Sequence, residues 1–254
     1  ILNNKIYKKN KQTLIRGLWF PNANLAEFNQ INNLIKNCNI DIELLIIPIF
    51  LDDMRGTEVR NEITKYKEQE CFSKSLSKTN EKYEFGNLKI SNDKIKEKVI
   101  VLAKLENLNK NLRLNIYKLR NFIFNIKPES IRSIRTVAYN KNILALRNIL
   151  EERTINSTKT IVYIPPLLHY ASKKNIPYDL REYKKFKTEI ANLCKKYDCN
   201  FYNFEKIIPD KFWGYKSSTS FLKGKEEIDF MHFTSTGHQI IAKEFMKILL
   251  EYGI

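Results

Sequence analysis

The stretch ELLIIPIFL at residues 43–51 is apolar at every position but the first. A strand with one face in water alternates polar and apolar residues, whereas a strand covered on both faces is apolar throughout. These residues therefore predict a strand of a parallel sheet that is covered by helices on both of its faces. Such sheets carry their chemistry on the loops at the carboxyl ends of the strands, here at Asp52–Arg55.

Outward from this stretch, short apolar segments alternate with longer amphipathic ones. Three more strands are predicted over Thr13–Phe20, Thr160–Ile164 and Asn200–Phe204. Apolar residues that recur at spacings of three and four predict helices over Asn24–Asn37, Tyr139–Glu152, Leu180–Tyr197 and Gly237–Tyr252. This alternation predicts an α/β fold with a parallel central sheet between helices.

The segment 54–135 does not follow the alternation. It is polar around Glu68–Asp93 and then has a helical pattern over Lys94–Ile126. Its apolar residues, Leu112 among them, share one face, which predicts a helix packed on a core and, as the alternative, a helix on a membrane surface. With 254 residues in all, we interpret 1–254 as one domain and 54–135 as a mostly helical insertion or lid.

The chain is strongly basic, with a formal net charge of +16. Such a charge favours anionic partners. The lysines are spread along the chain, however, and Lys, Asn and Ile are all abundant, so a general compositional bias explains most of the charge. No helix-turn-helix, RNA-binding or zinc-finger pattern is present, and we expect no nucleic-acid partner.

The four cysteines are Cys38, Cys71, Cys194 and Cys199, and no pair has Cys-x-x-Cys spacing. This excludes a zinc ribbon or a thioredoxin-type site. Buried free thiols are expected, with a Cys194–Cys199 disulfide as the alternative. We expect no metal and no cofactor. The sequence has no run of about 18 apolar residues, so no membrane span is predicted.

The segment IDFMHFTSTGHQIIAKEF at 228–245 carries the residues best suited to chemistry. Asp229 and His232 have the spacing with which one tight loop supplies a general base and the carboxylate that orients it. Thr234 and the residues that follow it predict a helix start, with a capping box between Thr236 and Gln239. His238 is predicted to support the loop structurally.

Together, the Asp-x-x-His at 229–232 and the Thr-x-x-Gly-His at 234–238 resemble the last block of the SGNH/GDSL hydrolase superfamily. The similarity is greatest to its divergent branch that modifies cell-envelope polysaccharides. The resemblance implies a three-layer, flavodoxin-like α/β/α fold. It also implies a serine esterase or O-acyltransferase acting on an O-acyl ester, chiefly acetyl, of a carbohydrate. A bacterial, periplasmic or otherwise extracytoplasmic location and a membrane acyltransferase partner follow from it as well.

Three blocks of that family differ here. No Gly-Asp-Ser turn is present, so the nucleophilic serine and the first strand are expected upstream of Ile1, together with a membrane anchor. Asn22 stands nearest the position of the family's oxyanion glycine. Asp52 replaces an oxyanion-binding Asn, and a carboxylate would repel an oxyanion. Asp53 and His169 are candidates for contact with the substrate.

Three functions are therefore weighed. The first is an SGNH-like esterase or acyltransferase in which Asp229 orients His232. The second is a catalytically inactive relative that binds a glycan or another partner. The third, a basic nucleic-acid-binding domain, lacks a supporting motif. The loop aromatics Trp213 and Tyr178 suit sugar stacking, but packing beneath the loops is the stronger expectation.

Overall fold

The structure is a computed structural model that describes Gly17 and residues 23–65, 108–109, 111–126, 130–131, 133–168, 178–218 and 226–253. The chain divides into two compact units. The first unit comprises 1–73, 131–214 and 229–254, and the second unit comprises 74–130 and 215–228.

Five helices and five strands have defined bounds within the described ranges. The helices are α1 (Leu25–Asn37), α2 (Asn61–Lys65), α3 (Thr136–Ile155), α4 (Leu180–Lys196) and α5 (Ser235–Glu251). The strands are β1 (Leu44–Pro48), β2 (Lys159–Ile164), β3 (Asn200–Asn203), β4 (Trp213–Ser217) and β5 (Glu226–Phe233). Short 3-10 helices occupy Leu51–Met54 and Asp210–Phe212.

Strands β1, β2 and β3 form a parallel sheet in that order, and β4 pairs with β5 in a separate two-stranded sheet. The prediction of an α/β fold with a parallel sheet is confirmed. The strand predicted over Thr13–Phe20 lies outside the described residues, except for Gly17.

The strand predicted over 43–51 is shorter in the structure and ends at Pro48. Ile49 still donates its N–H to the Tyr163 carbonyl at 2.9 Å. The chain then turns, because the Asp53 carboxylate accepts a hydrogen bond from the Phe50 N–H at 2.8 Å. Phe50 is the N-cap of the 3-10 helix Leu51–Met54, and its N–H is satisfied by the side chain of the third helical residue, as in a capping box.

The residues of β2 alternate between two core clusters, as the period of a strand requires. Val162 and Ile164 belong to the larger cluster, which includes residues of α1, α3 and α4. Ile161 belongs to a second cluster, with Phe245 and Ile248 of α5. Both sets of side chains are almost fully buried, which explains why the sequence here is apolar without alternation.

The boundaries of the helices follow from local side-chain chemistry. Asn24 and Glu27 form a capping box at the start of α1, and Asp179 caps α4. After α1, α3 and α4, a residue with positive φ turns the chain towards the next strand. These residues are Asn39, Ser157 and Asp198, with φ values of 50°, 54° and 51°.

In the second unit, residues 108–109 and 111–123 are helical. This agrees with the helical pattern of the sequence. The expectation that this helix packs on a core is wrong for Leu112, which is 61% exposed. Within the described ranges, no helix has the length and hydropathy needed to cross a membrane.

Candidate functional site

Asp229 and His232 form a hydrogen-bonded pair on β5. The His232 Nδ1 and the Asp229 Oδ2 are 2.8 Å apart. The sequence predicted a tight loop here, whereas the structure places both residues in the strand. Side chains three residues apart lie on opposite faces of a regular strand. The contact therefore means that β5 departs from regular alternation between these two residues.

The two partners differ greatly in exposure. The Asp229 side chain is 12% exposed and the His232 side chain is 81% exposed. With the carboxylate ionised and the imidazole neutral, Nδ1 carries the shared proton and Nε2 is an acceptor. The arrangement is an imidazole oriented by a buried carboxylate, with its reactive nitrogen in solvent. That is the geometry of a general base.

Close backbone contacts hold the segment that carries His232. The Thr234 N–H donates to the Phe212 carbonyl at 2.7 Å. A Cβ on Gly214 would lie 3.2 Å from the His232 carbonyl oxygen, which is closer than an ordinary contact. The backbone at 212–214 thus fixes the backbone at 232–234, and Gly214 allows the two to approach.

Phe233 anchors the same segment on its other side. Its ring meets the Trp213 ring edge to face, with centroids 5.6 Å apart, and packs on the His238 ring at 4.4 Å. A Cβ on Gly237 would lie 2.8 Å from the Phe233 Cβ. Real Cβ atoms essentially never approach so closely. The glycine of the Thr-x-x-Gly-His pattern therefore has a physical reason, which is to admit Phe233 against the first turn of α5.

The start of α5 differs from the prediction. Thr234 is the N-cap and makes no hydrogen bond with its side chain, and the helix begins at Ser235. The predicted capping box between Thr236 and Gln239 is wrong, because Thr236 already lies inside the helix. The first four N–H groups of a helix need other partners or water, and this end of α5 is exposed. His238 lies in the first turn, as predicted, and supports the segment through Phe233.

The acidic turn after β1 forms a local network of its own. Asp52 pairs with Arg55 at 2.9 Å and accepts a hydrogen bond from the Tyr178 hydroxyl at 3.0 Å. Asp52 and Arg55 thus form a local ion pair within this turn. The pKa of Asp53 is raised to about 7, chiefly by burial; the hydrogen bond from the Phe50 N–H acts to lower it, and the negative charge of Asp52 adds to the rise. Asp53 is the carboxyl that closes the turn, and its contact with substrate remains a prediction.

Two predicted site residues, Asn22 and His169, lie outside the described residues. Trp213 is 3% exposed and Tyr178 is 4% exposed, so both aromatics pack in the interior as expected. Cys194 and Cys199 are buried free thiols, also as expected. Among the described residues, no group of three or more His, Cys, Asp or Glu could hold a metal ion.

Gly214 and Gly237 are positioning residues that sequence reasoning did not single out. A glycine inside a strand often marks the close approach of another backbone, but no strand was predicted at 213–217, so this signal could not be seen at Gly214. Gly237 was seen in the sequence as part of the Thr-x-x-Gly-His motif, but the sequence did not show why a glycine is needed there. The partner, Phe233, becomes visible only when the strand and the helix are packed.

Gly237→Ala is expected to lower the free energy of unfolding by about 1–3 kcal/mol, the usual cost of an added methyl group in a packed site. Urea denaturation followed by circular dichroism measures the change. Gly56→Ala is the matched control, because a Cβ there meets only the Asn24 Nδ2 at an ordinary 3.6 Å. Equal stability of the two variants would contradict the assigned contact with Phe233.

Asp53→Asn is expected to reduce the loss of stability on raising the pH from 5 to 8. A carboxyl with a folded pKa of about 7 binds more protons in the folded state than in the unfolded state between about pH 4 and 7. The free energy of unfolding therefore falls across that window. The amide does not titrate and can still accept the Phe50 N–H.

The expected change in the pH dependence is about 2 kcal/mol, allowing for partial exposure of the side chain. Urea denaturation at both pH values measures it. Asp210→Asn, in the exposed 3-10 helix, is the control. If Asp53→Asn and the original protein lose equal stability between pH 5 and 8, the raised pKa is wrong.

Comparison of the chain with protein-family models, curated proteins and solved structures found no match. The function must therefore be argued from the geometry of this site.

Proposed function

We propose that the protein is an SGNH-like serine esterase or O-acyltransferase that acts on an O-acyl ester of a carbohydrate, chiefly an acetyl ester. The observation that carries the proposal is the 2.8 Å contact between the His232 Nδ1 and the Asp229 Oδ2, with the imidazole exposed and the carboxylate buried. A structural histidine is usually enclosed by its partners. Among the described residues, Asp229 is the hydrogen-bond partner of this imidazole, and the His232 side chain is 81% exposed.

In the proposed reaction, His232 acts first as a base and then as an acid. Its Nε2 takes the proton of a serine hydroxyl as the serine oxygen bonds to the ester carbonyl carbon. The tetrahedral intermediate then expels the alcohol oxygen, which receives that proton, and an acyl-serine remains. Water or a sugar hydroxyl then attacks the acyl carbon and gives its proton to Nε2. Collapse of this second tetrahedral intermediate breaks the bond to the serine oxygen, which takes the proton back from Nε2 as the acid or the new ester leaves. The described residues do not bring a serine to His232.

Asp229 favours the imidazolium that forms at each step. It is the orienting carboxylate, because its hydrogen bond fixes the ring and keeps the proton on Nδ1. Its burial strengthens the interaction, since little water competes for the carboxylate. The described residues thus supply two members of a three-residue catalytic unit.

The three-layer α/β/α architecture is part of this proposal. It is supported by the two core clusters that β2 supplies, one with residues of α1, α3 and α4 and one with residues of α5. A location outside the cytoplasm, a cell-envelope carbohydrate and a membrane acyltransferase partner belong to the same proposal and rest on the resemblance of the C-terminal segment alone.

A second candidate function is a catalytically inactive, glycan- or partner-binding relative. The observation that favours it is Asp52, which stands where the family has an oxyanion-binding amide and is ion-paired with Arg55. A carboxylate cannot donate a hydrogen bond to an oxyanion. An active enzyme would need its oxyanion donors from elsewhere.

Labelling with a fluorophosphonate probe separates the two candidates. The probe reacts covalently with an activated serine, so the intact gene product should be labelled and the heat-denatured protein should not. Hydrolysis of p-nitrophenyl acetate should disappear as labelling proceeds. A folded, intact gene product that is neither labelled nor hydrolytic would overturn the serine-enzyme proposal and favour the binding function.

A further inference from the structure

The helix at 111–123, with the preceding helical residues 108–109, exposes one continuous apolar face. Five apolar residues over 108–123 follow one another at spacings of four, four, three and four, which places these five on one side of a helix. Each is more than half exposed, and Phe122 borders the same face at 64%. The members of this apolar face are Leu108 (64%), Leu112 (61%), Ile116 (57%), Leu119 (52%) and Ile123 (63%).

Cationic side chains border the apolar face. Helical spacing places Arg113 and Arg120 along one edge and Lys118 along the other. The Arg113 Nε donates to the Asn109 side chain at 3.1 Å, and Arg120 donates to Asn121 at 2.7 Å. Residues 108–126 contain no aspartate or glutamate. Both arginines therefore hydrogen-bond to neutral amides, and within the described ranges neither has an ion-pair partner.

We propose that this helix binds the surface of an anionic lipid bilayer, with its apolar face in the acyl boundary and its flanking cations at the headgroups. A helix in the interfacial plane needs an apolar face and cations at its edges, and this segment has both. Long cationic side chains reach headgroups from the border of a buried face. The proposal is independent of the proposed hydrolase.

Charge decides between a bilayer and the other possible occupants of this face. A second copy of the helix would bring two sets of like charges together with no acidic residue between them, which is unfavourable. Nucleic acid would satisfy the cations but would leave five apolar side chains in water. An anionic bilayer satisfies both features at once, because it offers an apolar boundary beneath a layer of negative charge.

The experiment is co-sedimentation of the full chain with sucrose-loaded vesicles. One set contains phosphatidylcholine alone, and the other contains phosphatidylcholine with phosphatidylglycerol. Leu112→Gln with Ile116→Gln removes part of the apolar face while keeping good helix formers. We expect this pair to lower partitioning onto the phosphatidylglycerol vesicles by at least about tenfold. Arg113→Gln with Arg120→Gln should lower it by about 30-fold.

Matched controls lie on α3 in the first unit, where exposed side chains of the same chemistry are found. Val137 and Leu144 are 70% and 50% exposed, and their replacement by glutamine should leave partitioning unchanged. Arg147→Gln is the control for charge. The circular dichroism spectrum of each variant must match that of the original protein before partitioning is compared.

The proposal is supported if binding requires phosphatidylglycerol and weakens in high salt. Binding must also fall in both test variants and stay unchanged in the controls. Absence of binding to these vesicles overturns it, as does binding that all variants share. Concentration-dependent association lost in Leu112→Gln with Ile116→Gln, without lipid binding, would show that a second copy covers the face. Binding to DNA but not to vesicles would likewise overturn the proposal.

Discussion

We expect His232→Ala to lower the rate of p-nitrophenyl acetate hydrolysis by the intact gene product by about a thousandfold or more. Alanine removes the group that the proposed mechanism assigns to taking the proton of the nucleophile, and a positioned general base contributes between about a hundredfold and ten-thousandfold. The imidazole is 81% exposed and fills no core space, but its loss removes a hydrogen bond from the buried Asp229 carboxylate, so a modest loss of stability is expected as well. The rate is measured alongside a thermal unfolding curve of each protein.

Gln239→Ala is the control for this substitution, because it alters an exposed side chain in the first turn of α5 without touching Asp229 or His232. Its activity should equal that of the original protein. A His232→Ala variant that remains folded and equally active would remove the imidazole from any catalytic role. Hydrolysis would then come from some other part of the protein, and the proposed mechanism would be wrong.

Helices and strands were predicted correctly where the hydropathy pattern of the segment itself indicates its secondary structure. A buried strand such as β2 needs apolar residues on both faces, and a helix such as α4 repeats its apolar residues every three or four positions, so both patterns can be detected without knowledge of their partners. The strand at 43–51 was predicted too long because its end depends on one hydrogen bond, from the Phe50 N–H to Asp53. The hydropathy pattern of the sequence cannot predict that hydrogen bond.

The candidate site was predictable to a similar extent. The Asp-x-x-His spacing identified Asp229 and His232, because both partners lie within four residues of sequence. Gly214 and Phe212 were missed, since they meet the segment through backbone contacts between parts of the chain that are distant in sequence. The capping box expected at Thr236 was wrong because the chain enters α5 two residues earlier, at Thr234.

A buried ion pair in the first unit leads to the largest expected effect on stability. The Glu27 side chain is 1% exposed and meets the Arg60 Nε at 2.7 Å. It also accepts the backbone N–H groups of Asn24 and Arg60. Burial acts to raise the pKa of Glu27, but the hydrogen bonds from Arg60 and Asn24 together outweigh it and lower the pKa. The carboxylate is therefore charged inside the protein, where only its partners make it tolerable.

We expect Arg60→Ala to lower the free energy of unfolding at pH 7 by about 3 kcal/mol, because removal of one partner leaves a buried charge uncompensated. The guanidinium is 40% exposed and loses little by itself, so the cost falls on Glu27. Urea denaturation measures the change. Arg147→Ala, an exposed arginine on α3, should cost a few tenths of a kcal/mol.

The pH dependence tests the cause of that loss. A carboxyl whose folded pKa is lowered contributes stability that is present above its unfolded pKa of about 4.5 and is lost as the pH falls through the folded value. In Arg60→Ala that contribution is reduced, because the buried carboxyl can take up a proton instead. The difference between the two proteins should therefore shrink between pH 7 and pH 4. A difference that stays constant over this range would mean that Arg60 stabilises the fold by packing, and that the charge of Glu27 plays no part.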